Sequence, residues 1–493
     1  MVEIYIIYLI WVSFKLYMGL FMIKFLFMLI FIIIIFNNLV MFFYNLCFFI
    51  AFMIIFMYIY KDILWVNVSL WAGCEFYSIW LIMLSLWILG LIFIRLGGNE
   101  LIKIVVFIRL LIVLVGFFVS LDIILFYFFF EVSMIPTFFL IIYWGLNYER
   151  LRAAYYLIVY IIIISFPLLV YLLNIYKNII TFKFILLRER MALFNFRFGR
   201  YIIIYGAFFV KIPMYVFHIW LPKAHVEAPV YGSIVLAGVL LKIGGYGLIR
   251  FLMIFIKIRL KFNYLIFRLR IIGRVLIRLR CIVQIDMKSL VAYSSVVHIN
   301  IIICGIITLF KLGFIGGYIL IISHGLCSSA LFYIVDLYYK RIGRRLIILR
   351  KGILRKLPSL AFWWFFLCSS NFSFPLSLNF IREIFILSVI VSWEFIIIVY
   401  LIIVCFFRCA YSLYLFSYVQ HGGSGGVNIN FIDNEVKEFL ILFIHRWPLI
   451  ILLINLLILM YLGSLIKILI CGIKVIWYKS KYLKLFIFLS IQI

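Results

Sequence analysis

"FFVKIPMYVFHIWLPKAHVEAP", residues 208–229, sets a lysine and then a proline inside a run that otherwise reads as membrane-spanning. Ten uncharged residues (201–210) precede Lys211, and eleven separate it from Lys223. At about 1.5 Å per residue the ammonium lies roughly 15 Å from either end, near the middle of a hydrocarbon layer about 30 Å thick. A charge there costs about 3 kcal/mol on insertion scales. Pro213 frees a carbonyl and breaks the helix, which at this depth is tolerated only beside protein or a water-filled cavity. An ion and a helix break held together in the bilayer call for a function.

The composition supplies the setting. Of 493 residues, 69% are hydrophobic and 12% charged, where soluble domains run near half apolar and a quarter charged. Apolar runs recur from end to end, as at 25–36, 48–59, 111–119, 157–173 and 385–407. The fold class is all-α, a polytopic membrane protein. The ten-residue alternation of a transmembrane barrel is absent.

Spans of about 20 residues give about fourteen helices. They fall near 4–22, 25–44, 46–60, 77–95, 104–120, 123–144, 154–174, 201–221, 231–256, 264–284, 289–309, 313–337, 360–394 (broken), 395–418 and 438–462. This set is one larger than fourteen because the first sixty residues hold two or three spans. The most polar intervals are 175–200, 257–263, 338–358 and 419–437, the last with the loop-forming "HGGSGG". The hydrophobic start lacks a small-residue cleavage site and reads as retained spans. Four stretches follow: N-terminal helices to residue 100, one repeat over 101–256, a second over 257–420, and a C-terminal helix with an extension over 421–493.

Nine scattered cysteines form no CxxC, and Cys405 and Cys409 read as packing residues; no metal site is expected. No GxGxxG or P-loop pattern is present, so no cofactor site is read in this chain. Chemistry must come from ionisable groups inside the spans. Glu131 follows "ILFYFFF", nine residues after Asp122 and eighteen before Glu149. Lys242 lies in "VLAGVLLKIGGYG", fifteen residues from Glu227 and eight from Arg250. His324 lies in a stretch with no charge between Lys311 and Asp336, and Glu383 in "FPLSLNFIREIFILSVIVSW". His298 closes "VAYSSVVH" and reads as lying near one end of its span.

Any one of these could be a polar group paired once inside a bundle for packing specificity. Five near mid-depth, in the order acid, base, base, imidazole, acid, fit a proton path better. Desolvation lowers a lysine pKa and raises a glutamate pKa toward neutrality, and a nearby opposite charge reverses each shift. A buried pair can then gain or lose a proton when its partner moves, and histidine relays between such sites. Pro375, eight residues before Glu383, marks a second broken helix. Two interrupted spans with ionisable groups 172 positions apart fit inverted repeats.

"FFFEVSMIPTFFLIIYWGLNYERL", the run from Phe208 to Arg250, "QIDMKSLVAYSSVVH", "ISHGLCSSALF" and "YSLYLFSYVQHG" resemble the mitochondrially encoded, antiporter-like subunits of respiratory complex I, NADH–ubiquinone oxidoreductase. The likeness covers about residues 77–448. It implies a fourteen-helix core with two inverted five-helix repeats, in the mitochondrial inner membrane. It also implies proton translocation coupled to quinone reduction elsewhere in the complex. The chain would count as an enzyme only as a subunit, without a redox centre; NAD, FMN, iron–sulfur clusters and ubiquinone belong to the wider complex. Implied partners are the sister antiporter-like chains, other membrane-arm subunits and the bilayer; no nucleic acid is implied. By the same likeness Glu131 and Lys211 are the paired carboxylate and lysine of one half-channel, and Lys242 is the central relay lysine. His298 and His324 become relay histidines and Glu383 the exit-side acid, while Asp122 acquires no role. A cation/proton antiporter subunit of the multisubunit bacterial type shares this string of residues. The heavy phenylalanine and isoleucine usage of the present chain, 55 Phe among them, points instead to an AT-rich organelle genome. A scaffold without transport is the third reading.

Two features depart from the resemblance. About thirty residues follow "HRWPLIILLINLLIL", where such chains usually end. Span 264–284 carries Arg268, Arg270, Arg274, Arg278 and Arg280, at a cost of about 15 kcal/mol if each adds roughly 3. Steps of two and four would spread arginines around much of a helix. Arg268, Arg270, Arg278, Arg382 and Arg408 stand where relatives tend to have serine or glycine. Invertebrate mitochondria read AGA and AGG as serine, so part of the +29 net charge is expected to be a translation artefact.

Overall fold

The computed structural model describes residues 44–45, 47–51, 66–67 and 71–456, apart from 97–99, 146, 180, 192–197, 344, 348–351, 376 and 423–433. The spans read at 4–22 and 25–44, most of 46–60, the Gly-rich loop beyond residue 422 and the extension lie outside the described residues.

Helices dominate because a backbone in hydrocarbon must satisfy its own hydrogen bonds. Residues 44–45 and 47–51 are helical, and a two-stranded hairpin, Val66–Asn67 with Gly73–Cys74, follows. The chain then runs through α1 (Phe76–Arg95), α2 (Leu101–Val119), α3 (Ile123–Val132), α4 (Met134–Trp144) and α5 (Arg150–Ile179). Next come α6 (Phe184–Met191), α7 (Phe198–Lys211), α8 (Trp220–Glu227) and α9 (Val230–Val235). A π-helical turn (Leu236–Leu240) leads into α10 (Leu241–Ile254), then α11 (Ile256–Val283), α12 (Met287–Ile307) and α13 (Lys311–Ile342). The set closes with α14 (Pro358–Asn371), α15 (Leu378–Trp393), α16 (Ile398–Gln420) and α17 (Val436–Ile454). Several elements outrun their expected bounds: α5 and α13 are longer, 257–263 is helical, and α6 occupies part of the interval read as polar loop.

Direction alternates along the bundle. The Asp122–Lys183 bridge marks one end and the Asp286–Leu346 bridge the other. The windows over Val230–Ile254 and Lys311–Ile342 are 100% buried, against 28% for Arg150–Lys177 and 33% for Phe395–Gln420. The spans carrying Lys242 and His324 therefore form the centre, and the sparsely covered ones face outward.

Both expected breaks are present, and both are chemically patched. Pro213 has no N–H and crowds the carbonyl four residues back, so α7 stops at Lys211 and the span read at 201–221 is two elements. The orphaned carbonyls find other donors: Met214 N–H reaches Phe209 O at 3.2 Å and Trp220 Nε1 reaches Val210 O at 3.0 Å. At the second break Ser373 takes a left-handed φ of 64°, and Asn379 Nδ2 donates to Ser370 O at 2.6 Å. The first broken helix leaves from the Asp122 end. The second leaves from the Asp286 end and finishes at Trp393, whose ring meets Phe310 at 6.2 Å beyond the far end of α12. Opposed broken helices agree with inverted repeats.

The glycines of "KIGGYG" let α10 press on the first break. A Cβ at Gly244 would meet Ile212 Cγ1 at 2.6 Å and its backbone nitrogen at 3.2 Å. Gly244→Val is expected to lower stability by about 1–3 kcal/mol through overpacking, read as a fall in the melting temperature of the purified protein.

The arginine-rich span carries its arginines on both sides of a helix. It is a continuous helix, and Arg270, Arg274 and Arg278, at steps of four, share its buried face at 0%, 2% and 0% exposure. Arg268 and Arg280 are the ones on the exposed side.

Candidate functional site

Lys211 ends α7 at 1% exposure. Its ammonium donates to Phe130 O at 2.6 Å and Ser133 Oγ at 3.1 Å, and lies 3.4 Å from the Phe130 ring centroid. No ion pair joins it to Glu131 among the described residues, which corrects the expected direct pairing. Glu131 is close enough for its charge to act on Lys211, and its Oε1 is buried without a hydrogen-bond partner. The physical reason is competition. The span 123–144 is interrupted at Ser133, three residues before Pro136, and there one carbonyl, Phe130 O, and one hydroxyl, Ser133 Oγ, take the lysine's hydrogen bonds.

Beyond Lys211 lies a cavity with about 10 Å³ of room for water centres, near the minimum for one water. Lys211, Trp220, Leu236, Leu240 and His225 are among its walls. His225 is fully buried, stacks on Phe332 at 4.6 Å, and neither ring nitrogen has a hydrogen-bond partner among the described residues. The charges of Lys242 and Lys288 act on it, and it in turn acts on His324. Sequence reasoning missed His225. In "LPKAHVE" it stands among polar neighbours, where a lone histidine gives no signal.

Lys242 follows the π-helical turn. Such a turn widens the hydrogen-bond ladder and often marks a functional site. Lys242 Nζ donates back to Ala237 O and stands 3.2 Å from His324 Nδ1. The pair fits together because residue 325 is glycine: a Cβ there would meet Gly238 O at 3.0 Å and Lys242 Cε at 3.1 Å. The His324 and His298 rings lie 5.6 Å apart. His298 sits mid-helix in α12, eleven residues from Met287 and nine from Ile307, not near an end. Its Nε2 faces Asn371 Oδ1 at 3.0 Å, which ties the imidazole to the second helix break. Asn371 was also missed, being neutral.

Glu383, on α15, does not touch these histidines. It is buried between Arg408, with which it forms an ion pair, and Arg274 at 3.9 Å. Next to it Arg382 donates from Nε to Asn379 O at 3.0 Å, and its charge acts on Lys242, His298 and His324. Asp122 lies at the membrane end beside Lys183, outside this cluster. The structure thus brings together Lys242, His298 and His324, sets Lys211 across a small cavity from His225, holds Glu131 beside Lys211, and sets Glu383 apart in a carboxylate–guanidinium cluster.

Two opposed broken helices around a buried line of lysines and histidines define the antiporter-like membrane subunits. A family model described as NADH:quinone oxidoreductase/Mrp antiporter, transmembrane, matches residues 120–407. A curated relative named NADH-ubiquinone oxidoreductase chain 4 from Ceratitis capitata is 42% identical over 84% of this chain and 93% of its own length. One of the same name from Aedes aegypti is 46% identical over 66% of this chain and 72% of its own. The chain belongs to the NADH–ubiquinone oxidoreductase chain 4 family. In fold it resembles a chain of respiratory complex I from Thermus thermophilus, at TM-score 0.73 and 21% identity over 81% of this chain and 85% of that one. It also resembles a chain of the Mrp complex from Dietzia sp., at TM-score 0.79 and 13% identity over 92% and 97%.

Proposed function

We propose that the chain is a proton-translocating membrane-arm subunit of respiratory complex I in the mitochondrial inner membrane, working beside the sister antiporter-like chains. The observation that supports this best is the 3.2 Å contact between Lys242 and His324 at the buried centre, with a small cavity that both His225 and Lys211 line. Lysine and imidazole can each take up and release a proton, and water between Lys211 and His225 can pass one on. The proton then moves from Lys211 to His225, across Lys242 and His324, to His298 and the second break. Electron transfer from NADH to ubiquinone occurs in other subunits and reaches this chain as a shift of charge near Glu131. Because Glu131 holds no direct bond to Lys211, a small displacement decides whether the lysine faces the carboxylate or the cavity.

A double-mutant cycle tests that link. Glu131→Gln and Lys211→Met are each expected to cut protons pumped per NADH oxidised, and the double variant to lose little more than either one. Strictly additive losses would show that the two groups act independently.

A further inference from the structure

Resting on the relay reading of Lys211, we propose that Phe130 is a positioning residue: its carbonyl and ring face, with the Ser133 hydroxyl, form a neutral dock that holds the Lys211 ammonium off Glu131. All three contacts come from one interrupted turn. The carbonyl is 2.6 Å from Nζ, the hydroxyl 3.1 Å, and the ring centroid 3.4 Å. A cation over an aromatic face in a desolvated site is attracted by the ring quadrupole. A ring free to swing away would be a poor dock, but this one is pinned. Phe130 is 1% exposed, with Phe208 against it at 5.5 Å and Phe117 at 6.3 Å. Ser133 Oγ also donates to Phe130 O at 2.7 Å, which fixes the hydroxyl oxygen toward the lysine.

The dock gives Lys211 two resting places, one charged and one neutral. On Glu131 the ammonium is held by a carboxylate, which opposes loss of its proton. On Phe130 it is held by dipoles and a ring, beside the cavity that reaches His225, where release to water is easier. The other groups facing this region are Tyr127 beside Glu131, His225 across the cavity, and Arg270 of α11 over the ring of Phe209 at 4.7 Å. None of them touches the ammonium.

The test is the pH profile of proton pumping by the assembled complex in sealed vesicles, normalised to NADH oxidation. Phe130→Leu keeps the apolar bulk and removes the ring. Losing the ring weakens the charged form, so the basic limb of the profile is expected to move to lower pH by about one unit. Phe130→Tyr keeps the face and is expected to restore the original limb. If the leucine variant does not assemble, Phe130→Met is read in the same way. An unchanged limb in the assembled leucine or methionine variant would overturn the dock. Wild-type pumping by Lys211→Arg would instead overturn the relay role of Lys211, so the two failures are distinct.

Discussion

Lys211→Arg is expected to assemble and to lose about 100-fold in proton flux through this subunit, the lower range for a positioned proton-transfer group. A guanidinium keeps the charge and reaches the same acceptors, but cannot release its proton near neutral pH. Lys211→Ala is expected to fail to the same degree for a different reason. It empties the wall opposite His225 and removes the ammonium from the first break. Pumping normalised to NADH oxidation, in complexes matched for subunit content, is the measurement. A substantial rate in the arginine variant would remove Lys211 from the path.

The second large effect concerns what residues 270 and 278 are in the protein as the organelle makes it. Arg278 is 0% exposed, and all three guanidinium nitrogens lack a hydrogen-bond partner among the described residues. Arg270 is equally buried, with one bond of 3.4 Å to Asn300 Oδ1 and two nitrogens unpartnered. An uncompensated buried charge costs several kcal/mol, and two on one helix face would dominate the stability of the bundle. Serine in their place would bond a carbonyl one turn back and suit close helix packing. That packing is visible at Gly273, on the same helix, where a Cβ would meet Tyr215 at 2.3 Å. The expected result is serine at 270 and 278 in peptides from the native protein, with AGA or AGG in the gene and both tryptic sites lost; arginine in those peptides would contradict it. Arg268 and Arg408 differ, since each has a carboxylate partner, Glu394 and Glu383. The same peptides settle whether position 408 is serine. That identity decides whether Glu383 is held between two guanidinium groups, Arg408 and Arg274, or faces Arg274 alone.

The breaks and the buried lysines were legible because an ion or a proline in an apolar run violates the cost of its surroundings. Lys211, Pro213, Lys242 and His324 announce themselves in that way. The fold class followed from the same runs. What sequence could not show were neutral participants: Phe130, Ser133 and Asn371 act through a carbonyl, a hydroxyl and an amide that cost little to bury, so they leave no trace in composition. The direct Glu131–Lys211 contact is not made because a carbonyl and a hydroxyl at a helix interruption compete with the carboxylate, and spacing along the chain does not report that competition. The arginines of α11 do fall on both sides of the helix, and the step of two from 268 to 270 is what crosses it. Positions 270, 274 and 278 fall at steps of four and share a face; Arg268 and Arg280 do not.

The central claim is that protons cross the buried centre between the two breaks, where Lys242 and His324 meet. The most direct measurement replaces that lysine with an apolar residue of similar length, Lys242→Met, and follows protons taken into sealed vesicles per NADH oxidised. The expected result is an assembled complex whose proton yield falls, with the ratio lost rather than the subunit. A wild-type ratio in the assembled Lys242→Met complex would contradict it.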